Sequence, residues 1–317
     1  MTRLALGRRA LLAAAAAAAT TLAAPALAQE RTLRIGYQKY GTLVLLKGRG
    51  TLEGKLRGEG VRVAWTEFPA GPALLEAMNV GAIDLGTVGE APPVFAQAAG
   101  APVLYVAHEP PAPRGEAILV QRDSPIRSVA ELRGKKVAFN RGSNVHYLLV
   151  RALEAAGLRY AEVEPATLPP ADARVAFERK QVDAWVIWDP FLAAAEATTG
   201  ARQLADGTGL VSNHQFYMAT ERFAAANGPL VDAVVAALAD TAAWVSGDIP
   251  AAARALSPGV GIPGPMLEVA MRRQAYGVRP LDAAVAAEQQ RIADTFHGLG
   301  LIPRAIRVAD AVRQTGA

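Results

Sequence analysis

The sequence predicts an α/β protein of two similar lobes, each a doubly wound, mostly parallel sheet with helices on its faces. Three observations predict it. Apolar runs of strand length alternate with segments of helical period along residues 33–107 and again along 117–188, and such alternation is typical of parallel sheets. A proline-rich break at 109–115 separates the two series. The pattern of the first series then recurs in the second about 100 residues later.

The elements follow one another at regular intervals. The first series comprises strands at 33–37, 61–68, 83–88 and 103–107, separated by helices at 43–47, 73–80 and 94–99. The second series comprises strands at 117–121, 137–140, 163–168 and 184–188. After a strand at 216–219 the chain becomes almost wholly helical, with one apolar face running from Leu230 to Ala242. These last helices are expected to pack back on the first lobe.

A weak internal sequence repeat, which we call the internal echo, supports two related lobes. Residues 77–85 and 176–184 each read as helix, tight turn, Asp and strand, although any two strand–helix units share some apolar pattern, so chance similarity remains an alternative. The predicted division is a first lobe of 29–116 and 220–317 and a second lobe of 117–219. Ligands of open parallel sheets bind outside the carboxyl ends of the strands. Two lobes that face each other at those ends would form a clamp.

The first 28 residues read as a secretory signal peptide. Arg3, Arg8 and Arg9 precede an apolar stretch, and Ala26-Leu27-Ala28 is a small-residue cleavage site. The paired arginines leave Sec and twin-arginine export both open. Either route predicts a soluble periplasmic protein. Without the signal, which holds three arginines and no acid, 30 Lys and Arg face 29 Asp and Glu, a net charge of +1.

Composition excludes several functions. A nearly neutral chain without a basic stripe argues against nucleic acid as a partner. The sequence contains no cysteine, which excludes disulfides, thiolate metal sites and a thiol nucleophile. The four histidines lack metal-binding spacing, and no phosphate, dinucleotide or serine-nucleophile motif occurs. We therefore expect a protein that is not an enzyme and that carries neither a cofactor nor a metal.

The most informative local feature is the junction at 137–146, where a buried strand runs through Gly142 into an amphipathic helix. The free N–H groups at such a helix start, together with the helix dipole, favour a sulfonate, phosphate or carboxylate. The plainer interpretation is a helix capped by Ser143. Gln38, at the end of the first strand, occupies the place in the first lobe that Asn140 occupies in the second. Its plainer interpretation is a hydrogen bond to backbone groups of the loop.

Other polar residues near strand ends carry two interpretations each. Glu90 precedes a helix start, where a capping role is favoured over ligand contact; if it touches ligand, the contacted group should be an amine. Trp185 and Trp188 share a strand face, and we predict Trp185 in the core and Trp188 in the pocket wall. His108 and His214 are pocket candidates. His146, in the first helical turn, is expected to be solvated or locally bonded.

Several segments together closely resemble the periplasmic aliphatic sulfonate-binding proteins of ABC importers, within the sulfonate, taurine and nitrate branch of solute-binding proteins. The resemblance covers nearly the whole chain after the signal. It is carried by residues 35–39, 67–72, 75–81, 83–86, 97–101, 170–174 and 182–190. It implies the two-lobed fold of type II periplasmic binding proteins. The chain departs from the family at Asn144, where a second serine is usual, and at His108.

The resemblance also implies a function and a site. An aliphatic sulfonate would be captured between the lobes and delivered to an ABC permease in the inner membrane for sulfur acquisition, by a protein expected to be a monomer. Taurine, nitrate or another small anion, or a sensory role, are the alternatives; an enzyme of the same superfamily is disfavoured by the missing cysteine. The implied ligand-binding residues, with the pocket candidates above, are Gln38, Gly89, Glu90, His108, Ser143, Asn144, Trp188, Asp189 and His214.

Overall fold

The computed structural model describes residues 31–314, which form two five-stranded sheets with helices on both faces of each. The predicted signal peptide lies outside these residues. The first sheet has the order β2-β1-β3-β10-β4 and the second the order β7-β6-β8-β5-β9. The strands of the first sheet are β1 (Arg31–Tyr37), β2 (Val61–Glu67), β3 (Leu85–Val88), β4 (Val103–His108) and β10 (Phe216–Thr220). Those of the second are β5 (Glu116–Val120), β6 (Lys136–Phe139), β7 (Glu164–Thr167), β8 (Ala184–Trp188) and β9 (Arg202–Asp206).

Twelve α-helices connect and cover these sheets within the described residues. Between β1 and β4 of the first sheet, the chain forms α1 (Gly41–Arg49), α2 (Thr51–Arg57), α3 (Gly71–Asn79) and α4 (Ala91–Ala98). The second sheet is accompanied by α5 (Asn144–Ala155), α6 (Pro170–Glu178) and α7 (Phe191–Thr199). The C-terminal helices are α8 (Glu221–Ala226), α9 (Gly228–Gly247), α10 (Ile249–Val260), α11 (Gly264–Arg273) and α12 (Ala283–Gly298). We call each sheet with its covering helices the first or the second lobe.

The two sheets have the same topology. In each, four strands run in one direction and the strand fourth in order runs antiparallel to both its neighbours. The predicted α/β fold with mostly parallel sheets is confirmed, and the internal echo is visible as identical strand order. The antiparallel strands are β10 and β5, which enter their sheets from the other lobe. Because both crossings lie beside the carboxyl ends of the parallel strands, an entering strand must run the opposite way.

The points where the chain crosses between the lobes lie slightly before the predicted lobe boundaries. The boundary between 219 and 220 falls inside β10, which pairs with β3 and β4 of the first sheet. Sheet membership therefore places this crossing before Phe216, and the earlier one before Glu116. The polar edge strand β9 was missed because its residues lack an apolar run.

Most of the C-terminal helices pack on the first lobe, as expected, whereas α11 packs on α10 and also contacts α7 of the second lobe. Helices α9 and α10 cover one face of the first sheet through α1, and α12 packs on α4 across the other face. Among the described residues, α9 alone is long and apolar enough to span a membrane. One of its faces is buried in the first-lobe core, at Leu230, Val234 and Leu238 among others. We interpret α9 as a core helix of this lobe.

Candidate functional site

Four helix N-termini meet where the lobes face each other. They belong to α1 and α4 in the first lobe and to α5 and α7 in the second, and each helix begins just after the carboxyl end of a parallel strand. Helix α4 contacts α5 across the interface, while the starts of α1 and α7 line one small pocket together with α11. The positive ends of four helix dipoles therefore converge on one region. Such a region favours an anion.

The four helix starts differ in the donors they offer. Pro92 and Pro93 occupy the first turn of α4 and have no N–H. The carboxylate of Asp189 accepts the Ala193 N–H at the start of α7, at 3.0 Å. The starts of α1 and α5 have no side-chain cap. These two helices occupy equivalent places in the two lobes, and they present the freest N–H groups.

Ser143 occupies the N-cap position of α5 but does not cap it. Its hydroxyl donates instead to the Asn140 carbonyl, at 2.7 Å, so the plainer interpretation of a side-chain cap is wrong. The sequence could not show this because either bond is within reach of a serine at that place. The amide N–H groups of Asn144 and Val145 lie in the first turn, where no helical acceptor exists.

Asn144 joins the two lobes. Its side-chain amide donates to Glu116 and, at 3.1 Å, to Asn213. A Cβ atom added to Gly89 would lie 2.9 Å from Asn144 Cγ. The start of α4 therefore approaches the start of α5 so closely that only glycine fits at position 89. Asn213 belongs to the second crossing segment and Glu116 is the first residue of β5, and sequence reasoning missed both.

Gln38 lies at the end of β1 and is buried. Its side-chain amide donates to the Thr87 carbonyl at 3.0 Å, which ties the ends of β1 and β3 together. This bond realises the backbone-satisfying role that was its plainer interpretation. A contact between Gln38 and ligand stays a prediction.

A layer of buried carboxyl groups is the unexpected feature of the interface. Glu90, Glu109, Glu116 and Asp189 are each at most 3% exposed. Burial raises the pKa of Glu90 to about 8, that of Glu109 to about 7 and that of Asp189 to about 6. Burial, reinforced by the charge of Glu90, raises the pKa of Glu116 well above its usual range. At neutral pH, Glu90 is therefore mostly protonated.

Three of these groups keep a carboxyl oxygen free. Glu90 Oε1, Glu116 Oε1 and Asp189 Oδ2 are buried and have no hydrogen-bond partner among the described residues. A protonated carboxyl is a hydrogen-bond donor and does not repel an anion, whereas an ionised one attracts a cation. These carboxyl groups can therefore donate a hydrogen bond to a sulfonate when they are protonated, or pair with a ligand amine when they are ionised.

Asp189 also holds an ion pair between the lobes. Its Oδ1 lies 3.4 Å from Arg273 Nη1, at the end of α11, and Arg273 Nη2 lies 2.6 Å from Glu196. Trp188, beside it, is buried in the second-lobe core, with its ring nearly perpendicular to that of Phe191. Trp185 lies in the core, as predicted. Trp188 lines neither of the two cavities described here, so its contact with ligand stays a prediction.

The structure brings His108 and His214 together. Their rings meet edge to face with centroids 5.2 Å apart, and both Nδ1 atoms lie within 2.9 Å of the Glu109 carbonyl. Each Nδ1 therefore carries the hydrogen. Burial lowers the pKa of His108. No group of three potential metal-ligating side chains occurs between residues 31 and 314.

A cavity of about 550 Å³ opens beside this interface, between α5, α12 and the second crossing segment. Of the predicted site residues, Glu90 and His214 line it. Its floor includes Gln289, which donates to the Glu90 carbonyl. Tyr147, Arg151, Ser212, Glu288, Arg291 and Thr295 are among its walls. Sequence reasoning missed these residues because they belong to α5, α12 and the second crossing segment, where no local motif marks them.

The chain matches known proteins in sequence over most of its length. The NMT1/THI5-like family profile matches residues 54–252. A putative aliphatic sulfonates-binding protein of Escherichia coli (strain K12) is 43% identical over 294 residues, or 92% of each chain.

Two solved structures agree closely with the fold described here. The alkanesulfonate-binding protein SsuA from Xanthomonas axonopodis pv. citri, bound to MOPS, superposes with a TM-score of 0.86 at 43% identity, covering 90% of this chain and 98% of that one. The periplasmic aliphatic sulphonate binding protein SsuA from Escherichia coli gives a TM-score of 0.81, also at 43% identity, covering 90% and 93%.

Proposed function

Because this chain belongs to the NMT1/THI5-like family and, within it, to the periplasmic aliphatic sulfonate-binding proteins of ABC importers, we propose that it captures a sulfonate between its lobes. It then delivers the ligand, as a periplasmic monomer, to a permease in the inner membrane. The observation that carries an anionic ligand is the convergence of four helix N-termini at the lobe interface. The choice of a sulfonate among anions is supported by the 43% identity to sulfonate-binding relatives.

The chemistry of a sulfonate suits this interface. A sulfonate is ionised at every physiological pH and offers three acceptor oxygens and no donor, so it needs converging donors. We assign the head group to the start of α5, at Ser143 and Asn144, with Gln38 and the Gly89 turn on the first lobe. The uncapped first turn of α5 supports this assignment. Neutral donors also permit release, which an importer requires.

The buried acids favour one subclass of sulfonates. A protonated amine on the ligand would favour the ionised form of Glu90 or Glu116 and could donate to the free oxygen of one of them, which no described group satisfies. The Xanthomonas relative is bound to MOPS, which carries both a sulfonate and an amine. We therefore include zwitterionic aminosulfonates beside simple alkanesulfonates as ligands of this chain.

Titration calorimetry tests the proposal. The panel comprises propanesulfonate, taurine, MOPS, nitrate, sulfate and phosphate, each added to purified protein in Tris buffer, because many common buffers are themselves sulfonates. We expect saturable one-to-one binding of at least one sulfonate and recovery of that sulfonate unchanged after incubation. Binding of nitrate or phosphate alone would contradict the sulfonate assignment. Conversion of the ligand would contradict a role limited to binding.

A further inference from the structure

His146 lies in the first turn of α5, directly behind the assigned head-group site. The side chain is fully buried, so of the two expected states, solvated or locally bonded, the first is wrong and the second is observed. Its Nδ1 accepts the Gly142 N–H at 3.2 Å, and its Nε2 lies 3.0 Å from the Tyr160 hydroxyl. Because Nδ1 is an acceptor, the hydrogen must be on Nε2, which donates to Tyr160.

This arrangement resembles a capping box with an unusual acceptor. In a capping box, an acid or amide at the third helical position bonds back to an N–H at the helix start. Here the third position is His146, counted from the N-cap Ser143. Burial lowers the pKa of His146 to about 3, so the acceptor stays neutral. A glutamate at the same place would put a negative charge beside a bound anion.

The ring is held in this orientation from both lobes. It stacks on Phe139 of the second lobe, with centroids 4.9 Å apart, and lies 5.1 Å from Phe296 and 6.2 Å from Phe95 of the first lobe. A Cβ atom added to Gly142 would itself lie 3.6 Å from the Phe95 ring. Closed lobes therefore fix both the imidazole and the turn that it holds.

We propose that His146 is a positioning residue for the anion site: its neutral imidazole holds the turn at Gly142 so that the first-turn N–H groups of α5 point toward the ligand. The inference rests on the proposed function, since it takes that helix start as the head-group site. Gly142 has a left-handed φ of 75°, and its N–H bond to His146 stabilises that conformation. The side chain itself makes no ligand contact.

Two substitutions separate positioning from packing. His146→Phe keeps an aromatic ring and loses the acceptor, whereas His146→Asn loses the ring and keeps an oxygen near the place of Nδ1. With MOPS as the titrant, we expect His146→Phe to raise the Kd about tenfold, and His146→Asn to bind within about threefold of the unchanged protein. Tighter binding by the Phe variant than by the Asn variant would show packing and overturn the proposal.

A second measurement needs no ligand. Hydrogen exchange of the Gly142 amide, followed by NMR on the ligand-free protein, should be about tenfold faster in His146→Phe than in the unchanged protein. Equal protection in the two would overturn the inference even if His146→Asn does not fold. Failure of the unchanged protein to bind any sulfonate would instead reject the proposed function, and the exchange result would still decide whether His146 holds the turn.

Discussion

At the scale of single residues, Gly89 is where the lobes approach most closely. Ala is compatible with its backbone, since its φ is not among the left-handed values, but the added Cβ would lie 2.9 Å from Asn144 Cγ. Gly89 and Asn144 belong to different lobes, so this contact lies between the lobes and not within the core of either one. We therefore expect the residue to limit the approach of the lobes and not the folding of either lobe.

We predict that Gly89→Ala raises the Kd for a bound sulfonate at least about tenfold, since overpacking costs about 1–3 kcal/mol. The melting temperature of the ligand-free protein should change little. The measurement is calorimetry paired with thermal unfolding. Gly54→Ala is the matched control because a Cβ at Gly54 meets nothing within 4 Å; equal losses of affinity in the two variants would contradict the prediction.

The raised pKa of Glu90, about 8, predicts a pH dependence of binding. Below that pH its carboxyl is protonated and donates to an anion; above it, the ionised group repels one. The affinity for propanesulfonate should therefore fall as the pH rises from about 6 to about 9. Calorimetry across this range checks it, and Glu90→Gln, which stays neutral, should flatten the profile. If the affinity of Glu90→Gln for propanesulfonate depended on pH as strongly as that of the unchanged protein, another group would be responsible and the prediction would be wrong.

At the scale of elements, the recurring Asp explains how each sheet is assembled. Asp84 donates its N–H to the Arg34 carbonyl at 2.9 Å and accepts the Arg34 N–H at 2.9 Å. Asp183 makes the same pair of bonds with Lys136, both at 2.8 Å. In both lobes the Asp thus joins the strand that it precedes to the first parallel strand. The sequence echo marks this shared structural connection.

The two connections should differ in energy because Asp84 is buried and also bonds the Arg34 guanidinium, whereas Asp183 is exposed. We predict that Asp84→Ala lowers the free energy of unfolding by about 2–3 kcal/mol and Asp183→Ala by about 1 kcal/mol. Urea denaturation followed by circular dichroism measures both. A loss for Asp183→Ala as large as that for Asp84→Ala would refute the argument from burial.

At the scale of the whole molecule, both crossings attach to one side of each sheet, so the lobes can separate at the opposite side. Strands β2 and β7 are the edge strands there, and Glu67 and Thr167 are exposed at their carboxyl ends. In the structure the lobes meet through the Asp189–Arg273 pair, through the packing of α11 on α7 and through the contact of α4 with α5. Ligand binding between them would favour this closed arrangement.

Spin labels test the closure directly. The sequence has no cysteine, so Glu67→Cys and Thr167→Cys would carry the two labels without competing thiols. We predict that the distance between them, measured by pulsed electron resonance, shortens when a bound sulfonate is added. Labels at Glu67→Cys and Val80→Cys, both in the first lobe, should show no change. An unchanged distance in the first pair would contradict capture by lobe closure.

The sequence by itself determined nine of the ten strands, the two-lobe repetition and the family, because apolar periodicity and turn residues are local signals; it missed β9, which lacks an apolar run. It also indicated the helix start at Ser143 as an anion site. It did not show that the Ser143 hydroxyl bonds Asn140, that His146 is buried, or that Arg273 pairs with Asp189. Those facts depend on which distant segments pack together.

Only the tertiary structure decided the chemistry of the interface. Gln289 and Glu90 lie 199 positions apart and meet because α12 packs on α4. The raised pKa of Glu90 follows from burial by both lobes, and no property of its sequence neighbours predicts it. Local sequence specifies where a helix begins, whereas the environment that sets the charge and partners of its first residues is created when the lobes come together.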